Sequence, residues 1–378
     1  MGCVQTTQIY IENHYEKTIQ HDSALTGRAW LEELLNSNEN RIKNNLGMWK
    51  HVFRHLVDVL EKKGGIGNTR HLRSADQVAI FLYFAVTNLS NRKVAERFQK
   101  SGDTISKYFH RVLEALTCSA VYNTYIKFPD SSSPVPEFIK DNKKYFPFLK
   151  DVLGAIDGRH LLVRPPADQR ARYRDRKEQT SQNLLATCTL DMLFCHVLSG
   201  WEGSASDSAI FADARKHDFK VPPGKYFLGD AGFPSCRELL VPYRGVRYHL
   251  REWQQGNKRP LNAKELFNLR HSSCRNAIER IFGIVKKRFK IMREANEFPI
   301  HFQGQIASAI CVLHNFIRIH DPDDVIEPDP EEAITNGSPT SVEPTIVGIS
   351  VQEVTQAALR RDKIAMDMWR QYQAYLNK

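Results

Sequence analysis

Two aspartates stand at the ends of apolar runs, and each has glycine beside it. Asp157 follows Val152-Leu153-Gly154-Ala155-Ile156 and precedes Gly158, while Asp230 follows Tyr226-Phe227-Leu228-Gly229 and precedes Ala231-Gly232. Such runs predict buried strands. A carboxylate at the end of a buried strand is costly unless it is paired or bound to a cation. A neighbouring glycine lets a backbone or a ligand approach closely. One such aspartate alone is ordinarily the cap of the following turn. The repetition shifts the balance away from that reading. With helical patterns on either side of the strands, the expected class is α/β.

Two further acidic residues fit the same site. Glu279 lies in the helical stretch Arg275-Asn276-Ala277-Ile278-Glu279-Arg280-Ile281-Phe282-Gly283. Lys286, Lys287 and Lys290 follow it at offsets that share a helix face. A carboxylate, a bare turn and a row of lysines suit a bound cation beside a phosphate backbone; the run also reads as a solvated charged face. Asp207, in Gly203-Ser204-Ala205-Ser206-Asp207-Ser208, belongs to a turn after a strand at 194–198, where serine and aspartate are common on local grounds alone. The sequence has no P-loop, no dinucleotide-binding glycine fingerprint, no G-x-S-x-G and no H-E-x-x-H.

Charge narrows the partner. The 378 residues carry 53 Lys+Arg and 43 Asp+Glu, a net +10. Residues 321–359 hold nine acidic and no basic residues, so the remainder has 34 acidic against 53 basic residues, a net +19. A body that basic attracts a polyanion, and nucleic acid is the first candidate. Arg164, Arg170, Arg172, Arg174, Arg176 and Lys177 follow the first strand and suit a phosphate backbone, or else form a solvated basic loop. The longest apolar run, Val78–Val86, has nine residues, against ~20 for a membrane span. The seven cysteines are scattered, without a C-x-x-C pair, which predicts free thiols. The first residues carry no apolar leader. Met1-Gly2-Cys3-Val4-Gln5-Thr6 fits an N-terminal acylation pattern, but no polybasic stretch follows it, and a nuclear place of action, with the cytoplasm second, is the expectation.

Along the chain, residues 1–40 are expected to be a flexible N-terminal segment, and residues 41–127 a helical unit of helix-turn-helix type. A Pro/Ser-rich hinge (128–136) leads to a catalytic unit at 137–320, an acidic flexible linker at 321–350 and a C-terminal helix at 351–378. In the first unit, Trp49, Val52, Phe53, Leu56, Val57 and Leu60 recur at helical spacing up to Gly64-Gly65, and a second helix runs from Asp76 to a stop at Asn88. The stretch Ser90–Leu116 then reads as two helices. Ser90 caps the first, Val94, Ala95 and Phe98 form its inner face, and a turn containing Gly102 follows. Thr104 caps the second helix, which presents Ser106, Lys107, His110 and Arg111 outward to phosphates and base edges. An ordinary helical hairpin has the same pattern. In the C-terminal helix, Val354, Ala358, Ile364, Met368 and Tyr372 or Tyr375 share one side.

Taken together, several motifs resemble those of the PIF/Harbinger transposases. Gly154-Ala155-Ile156-Asp157-Gly158-Arg159-His160 resembles the first acidic motif of that family, with Arg159 where a small hydroxyl residue is more usual. Gly200-Trp201-Glu202-Gly203-Ser204-Ala205-Ser206-Asp207-Ser208 is similar to its glycine-serine-aspartate turn, and Leu228-Gly229-Asp230-Ala231-Gly232-Phe233-Pro234 to its second acidic motif. Arg270-His271-Ser272, Arg275–Gly283 and Lys286-Lys287-Arg288-Phe289 resemble the third, and Leu313-His314-Asn315-Phe316-Ile317 its closing helix. The resemblance spans about residues 70–320, with the motifs in order.

The resemblance implies a DDE catalytic domain of RNase H-like fold, a mixed sheet flanked by helices. Asp157 would lie on the first strand, Asp230 at the end of the fourth and Glu279 on a later helix as the catalytic set, with Asp207 joining them as a metal ligand. It implies DNA as substrate (transposon ends and target) and a Myb-like accessory protein; a homo-oligomer is a further expectation, with the oligomeric state itself left open by the sequence. Converging carboxylates repel unless cations lie between them, and hard oxygen donors select Mg²⁺ or Mn²⁺. Two ions sharing such a site support in-line displacement at phosphorus, for cleavage and for joining a 3′ end to a target. The alternative is a transposon-derived DNA-binding protein with a silent catalytic fold. A basic RNA-binding module is disfavoured because stacking motifs are lacking.

Overall fold

The computed structural model describes residues 20–248, 250, 253, 259–327 and 348–377. The acylation motif at 1–6 and residues 328–347 of the acidic segment lie outside the described residues.

The N-terminal part is helical. Helix α1 (Gly27–Asn36) is capped by Thr26, whose hydroxyl accepts from the Ala29 amide at 3.2 Å. Helices α2 (Glu39–Leu46) and α3 (Lys50–Lys62) follow, and α3 buries Val52, Phe53, Leu56 and Leu60 at the expected spacing. Helix α4 (Ser74–Thr87) is apolar on most of its circumference because α2, α3 and the next two helices pack around it. It ends at Asn88, in the left-handed region at φ 49°, a conformation asparagine tolerates. Helices α5 (Asn91–Phe98), α6 (Gly102–Thr117) and α7 (Ser119–Tyr125) complete this part. The cap of α6 is Ser101, not Thr104: the Ser101 hydroxyl accepts from the Thr104 amide at 3.3 Å, so Thr104 stands inside the first turn.

The sheet has the order β3-β2-β1-β4-β5. Strand β1 (Val152–Leu162) pairs antiparallel with β2 (Ser181–Cys188), and β2 antiparallel with β3 (Phe194–Glu202). On its other side β1 pairs parallel with β4 (Tyr226–Leu228), which pairs parallel with β5 (Leu239–Leu240). Helix α8 (Asp207–His217) covers one face, packing with Leu153, Ile156, Leu185 and Phe227. Helices α9 (Ala263–Arg288) and α10 (Ile300–His320) cover the other, against Val152, Ala155, Leu184 and Ala186. Along β2 the partners alternate by the period-two rule of a strand between two layers, and along β1 the alternation shifts phase at Gly154, where the pairing with β4 also slips. Helix α11 (Val351–Leu376) lies against α9 and β5. Its buried positions are Ala357, Ala365 and Met368, and Tyr375 is exposed, so the inner stripe is narrower than its apolar pattern implies. The mixed sheet with helices on both faces is the architecture that the motifs imply.

The apolar core runs without interruption from the N-terminal helices into the helices behind the sheet. Helix α6 packs on α10, and Phe109 stacks on Phe298 with ring centroids 4.1 Å apart. The start of the acidic segment is docked on the same body: Asp324 accepts from Lys43 at 2.6 Å and from Arg288 at 2.7 Å. Residues 321–327 are therefore anchored, in contrast to the free linker expected from their composition.

Candidate active site

Strand β4 stops at Leu228, opposite Ala155 of β1. Among the described residues no strand pairs with β1 on this side beyond that point, and Asp157 is the second residue after it. Asp157 does not end its strand, as its apolar lead-in suggested. Pairing continues from Asp157 opposite Ala186 to Leu162 opposite Ser181, because residues after Gly158 alternate between buried and exposed instead of forming an apolar run. Asp230 comes two residues after β4, where its carboxylate caps the turn by accepting from the Gly232 amide at 2.8 Å. Glu279 projects from α9, which runs behind β1.

These three carboxylates meet at one guanidinium. Arg275, one helical turn before Glu279, donates from Nη1 to Glu279 Oε1 at 2.6 Å and from Nη2 to Asp157 Oδ1 at 2.7 Å. The same Nη2 lies 4.0 Å from Asp230 Oδ2. Asp207 approaches from the other face of the sheet, over Gly158, and accepts from the Asn183 side-chain amide at 2.7 Å. It is not in a free turn but is the first residue of α8, set by the Ser206 cap, whose hydroxyl accepts from the Ala209 amide at 3.3 Å.

One arginine does not balance this much acid. Burial pushes the Asp157 carboxyl up to about 7; Arg275 opposes the shift, and Asp230, Glu279 and Asp207 add to it. Burial also raises Asp207, against the hydrogen bond from Asn183. For Arg275, burial works against the charge, but Asp157, Tyr248, Glu279 and Asp230 raise it well above the ordinary value. A carboxyl that titrates higher when folded adds stability that is complete below its unfolded pKa near 3.8 and is lost as pH rises through about 7. In the presence of a chelator, Asp157→Asn is therefore expected to melt at a higher temperature than the parent at pH 8, and to lose that advantage near pH 4. Parallel melting curves of the two proteins across this range would refute the assignment.

All four donors are hard oxygens, which suits Mg²⁺ or Mn²⁺, and their excess negative charge is the condition a cation would relieve. Among the described residues, the only three ligand-type groups with atoms all within 4.8 Å of one another are Cys236, Glu238 and Glu353. That cluster is already neutralised. Arg215 pairs with Glu238 at 3.1 Å and also with Glu353, and Arg237 donates to Glu238 at 3.0 Å. It fastens α11 to the sheet.

The basic residues divide. Arg164, Arg170, Arg172, Arg174, Arg176 and Lys177 are exposed on the connection from β1 to β2. Asp175 shapes that connection by accepting from the amides of Lys177 at 2.8 Å and Gln179 at 3.0 Å. Ser181 ties it to the sheet, donating to Asp175 at 3.0 Å and meeting His160 Nδ1 at 2.9 Å. Arg172 also pairs with Glu202 at 3.7 Å. Lys286 and Lys287 continue the Glu279 helix, but Lys290 leaves that row. The helix ends at Arg288, Phe289 turns extended and fully buried, and Lys290 pairs with Glu294 at 3.4 Å.

On α6, Lys107 is exposed and Arg111 half-buried. His110 does not face outward. Its ring packs 4.1 Å from that of Phe302 and its Nε2 is buried, because α10 and the loop before it cover this side of the helix. Ser106 and His110 line a cavity of about 400 Å³ together with Asn88, Asn91, Arg164 and Phe298. The role of Arg275 did not emerge from the sequence. Its spacing from Glu279 was the available signal, since residues four apart on a helix are neighbours.

Residues 156–315 match the family described as DDE superfamily endonuclease. Residues 22–118 match a domain of unknown function, DUF8040. The chain is similar to "Protein ALP1-like" of Arabidopsis thaliana, 27% identical over 274 residues, covering 66% of this chain and 62% of that protein. It is also similar to "Putative nuclease HARBI1" of Homo sapiens, 24% identical over 261 residues, covering 68% of this chain and 70% of that protein. The protein of the same name from Xenopus laevis is 22% identical over 302 residues, covering 76% of this chain and 82% of that protein. No solved structure matches the chain.

Proposed function

We propose that this chain, which carries a DDE superfamily endonuclease domain over residues 156–315 and is related to Harbinger transposase-derived proteins, is a divalent-metal-dependent DNA endonuclease that also joins 3′ ends to target DNA. One observation carries the reading: carboxylates from β1, from the turn after β4 and from α9 surround one guanidinium, 2.6–4.0 Å from its two terminal nitrogens. Asp157, Asp230 and Glu279 are the residues that would hold Mg²⁺ or Mn²⁺, with Asp207 completing the set from across Gly158. Bound there, a pair of such ions supplies an activated water or 3′-hydroxyl and stabilises the leaving oxygen.

The chain's own residues do the rest. Asn183 orients Asp207, and the Gly232 amide orients Asp230. The arginines between β1 and β2 grip the backbone beside the cleft, with Lys107 and Arg111 on α6 and Lys286 and Lys287 on α9 as further contacts. A Myb-like accessory protein and action in the nucleus are part of the same reading, supported by the resemblance alone.

The deciding experiment is a nicking assay on DNA carrying candidate terminal repeats, with and without Mg²⁺. Metal-dependent nicks are expected; DNA binding without any nick, with either ion, would favour the silent fold. Binding itself should rest on phosphates. Arg170→Ala, Arg172→Ala and Arg174→Ala combined are expected to weaken affinity and to reduce the slope of log K against log salt by about 3. An unchanged slope would remove this loop from the interface.

A further inference from the structure

Arg275 is placed as a cation and is poorly accommodated as an arginine. Its guanidinium is in hydrogen-bond contact with Asp157 and Glu279 and lies beside Asp230, and only 5% of the residue is exposed. Its Nε is buried without a hydrogen-bond partner. A buried ion pair built only for structure ordinarily satisfies every donor, since an unmet one is costly. Here the two Nη groups are drawn to the carboxylates and the buried Tyr248 hydroxyl lies against the same guanidinium, while Nε has no hydrogen bond of ordinary geometry. The oxygens that accept from Arg275 are also those the proposed function assigns to metal, so the two cations exclude one another.

We propose that Arg275 is a displaceable internal cation: it occupies the metal position in the metal-free protein and must withdraw before a divalent ion is ligated. This inference rests on the reading of the acidic residues as a metal site. It makes apparent metal affinity the intrinsic affinity multiplied by the fraction of molecules with Arg275 withdrawn. Arginine thereby relieves carboxylate repulsion while no ion is bound and holds ions off until they are plentiful.

The test uses the full chain and MnCl₂ alone, without DNA, by titration calorimetry. If Arg275 is withdrawn in less than about a tenth of molecules, Arg275→Gln binds Mn²⁺ at least about tenfold more tightly than the parent. Arg275→Lys, which keeps a competing cation, stays near the parent. Addition of Mn²⁺ also raises the melting temperature of Arg275→Gln by more than that of the parent. Equal or weaker Mn²⁺ binding by folded Arg275→Gln overturns the inference. Should the Gln variant fail to fold, labelling of the parent with an arginine-specific dicarbonyl reagent decides. Mn²⁺ is expected to increase modification of Arg275, and unchanged or reduced modification overturns the inference. The underlying reading fails separately: Mn²⁺ binding to the parent or to Arg275→Gln that is untouched by Asp157→Asn, or no Mn²⁺ binding by any form, removes the metal site itself.

Discussion

Asp157→Asn, Asp230→Asn and Glu279→Gln are each expected to lower metal-dependent strand cleavage by about a thousandfold or more, because groups that act as a unit lose most of their effect when any one is removed. Each amide keeps the size of the parent side chain and removes a charge, which separates loss of the ion from loss of the fold. DNA affinity and the circular dichroism spectrum are expected to stay near parental values. A folded single variant that keeps more than about a tenth of parental cleavage would show that its carboxylate lies outside the reacting set. The three parent side chains converge on Arg275 from elements far apart in sequence, so the equivalence of the three losses tests the convergence itself.

Gly158→Ala is expected to have the second large effect, acting through space alone. A Cβ at position 158 would stand 1.9 Å from Asp207 Oδ1 and 2.1 Å from its Cγ. Asp207 cannot simply swing aside, because Asn183 donates to it at 2.7 Å and Ser206 fixes the start of α8. The methyl group therefore expels the carboxylate, at a cost of about 1–3 kcal/mol for the buried polar groups left without partners. Cleavage is expected to fall about a hundredfold, as for the loss of one charge-stabilising group, while DNA binding persists. Adding Asp207→Ala to Gly158→Ala should restore the stability without restoring cleavage, since the two residues share one volume. A fully active Gly158→Ala protein would place Asp207 outside the reaction.

Much of this site was legible because its parts announce themselves locally. Asp230 follows a short apolar run and a glycine, Glu279 sits in a strong helix, and both stand where those patterns imply. From its apolar run Asp157 was legible as a residue but not as a position; only the family resemblance placed it on the first strand. The apolar run ends at Ile156 only because β1 is exposed on alternate residues from there on, so a change in burial looked like the end of a strand. The contacts of Arg275 were hidden for a different reason. Its pairing with Glu279 is local, but its pairing with Asp157 spans 118 residues and exists only once α9 lies behind β1. His110 was misplaced on the same grounds: nothing near it in sequence reveals that Phe298 and Phe302 cover that side of α6. Lys290 fell out of its row because Phe289 is drawn into the core, a tertiary preference that overrides helical continuation.

The stacking of Phe109 on Phe298, at the seam where the N-terminal helices join the body behind the sheet, leaves no joint between them. If α6 and the arginine loop are where a duplex is gripped, the molecule is a ruler. The number of base pairs from grip to cut is then a constant of the fold, set by aromatic packing instead of by linker length. A protein built that way can acquire a new cutting register only by rebuilding its core, whereas one with a flexible tether could do so by adding a few residues to a loop.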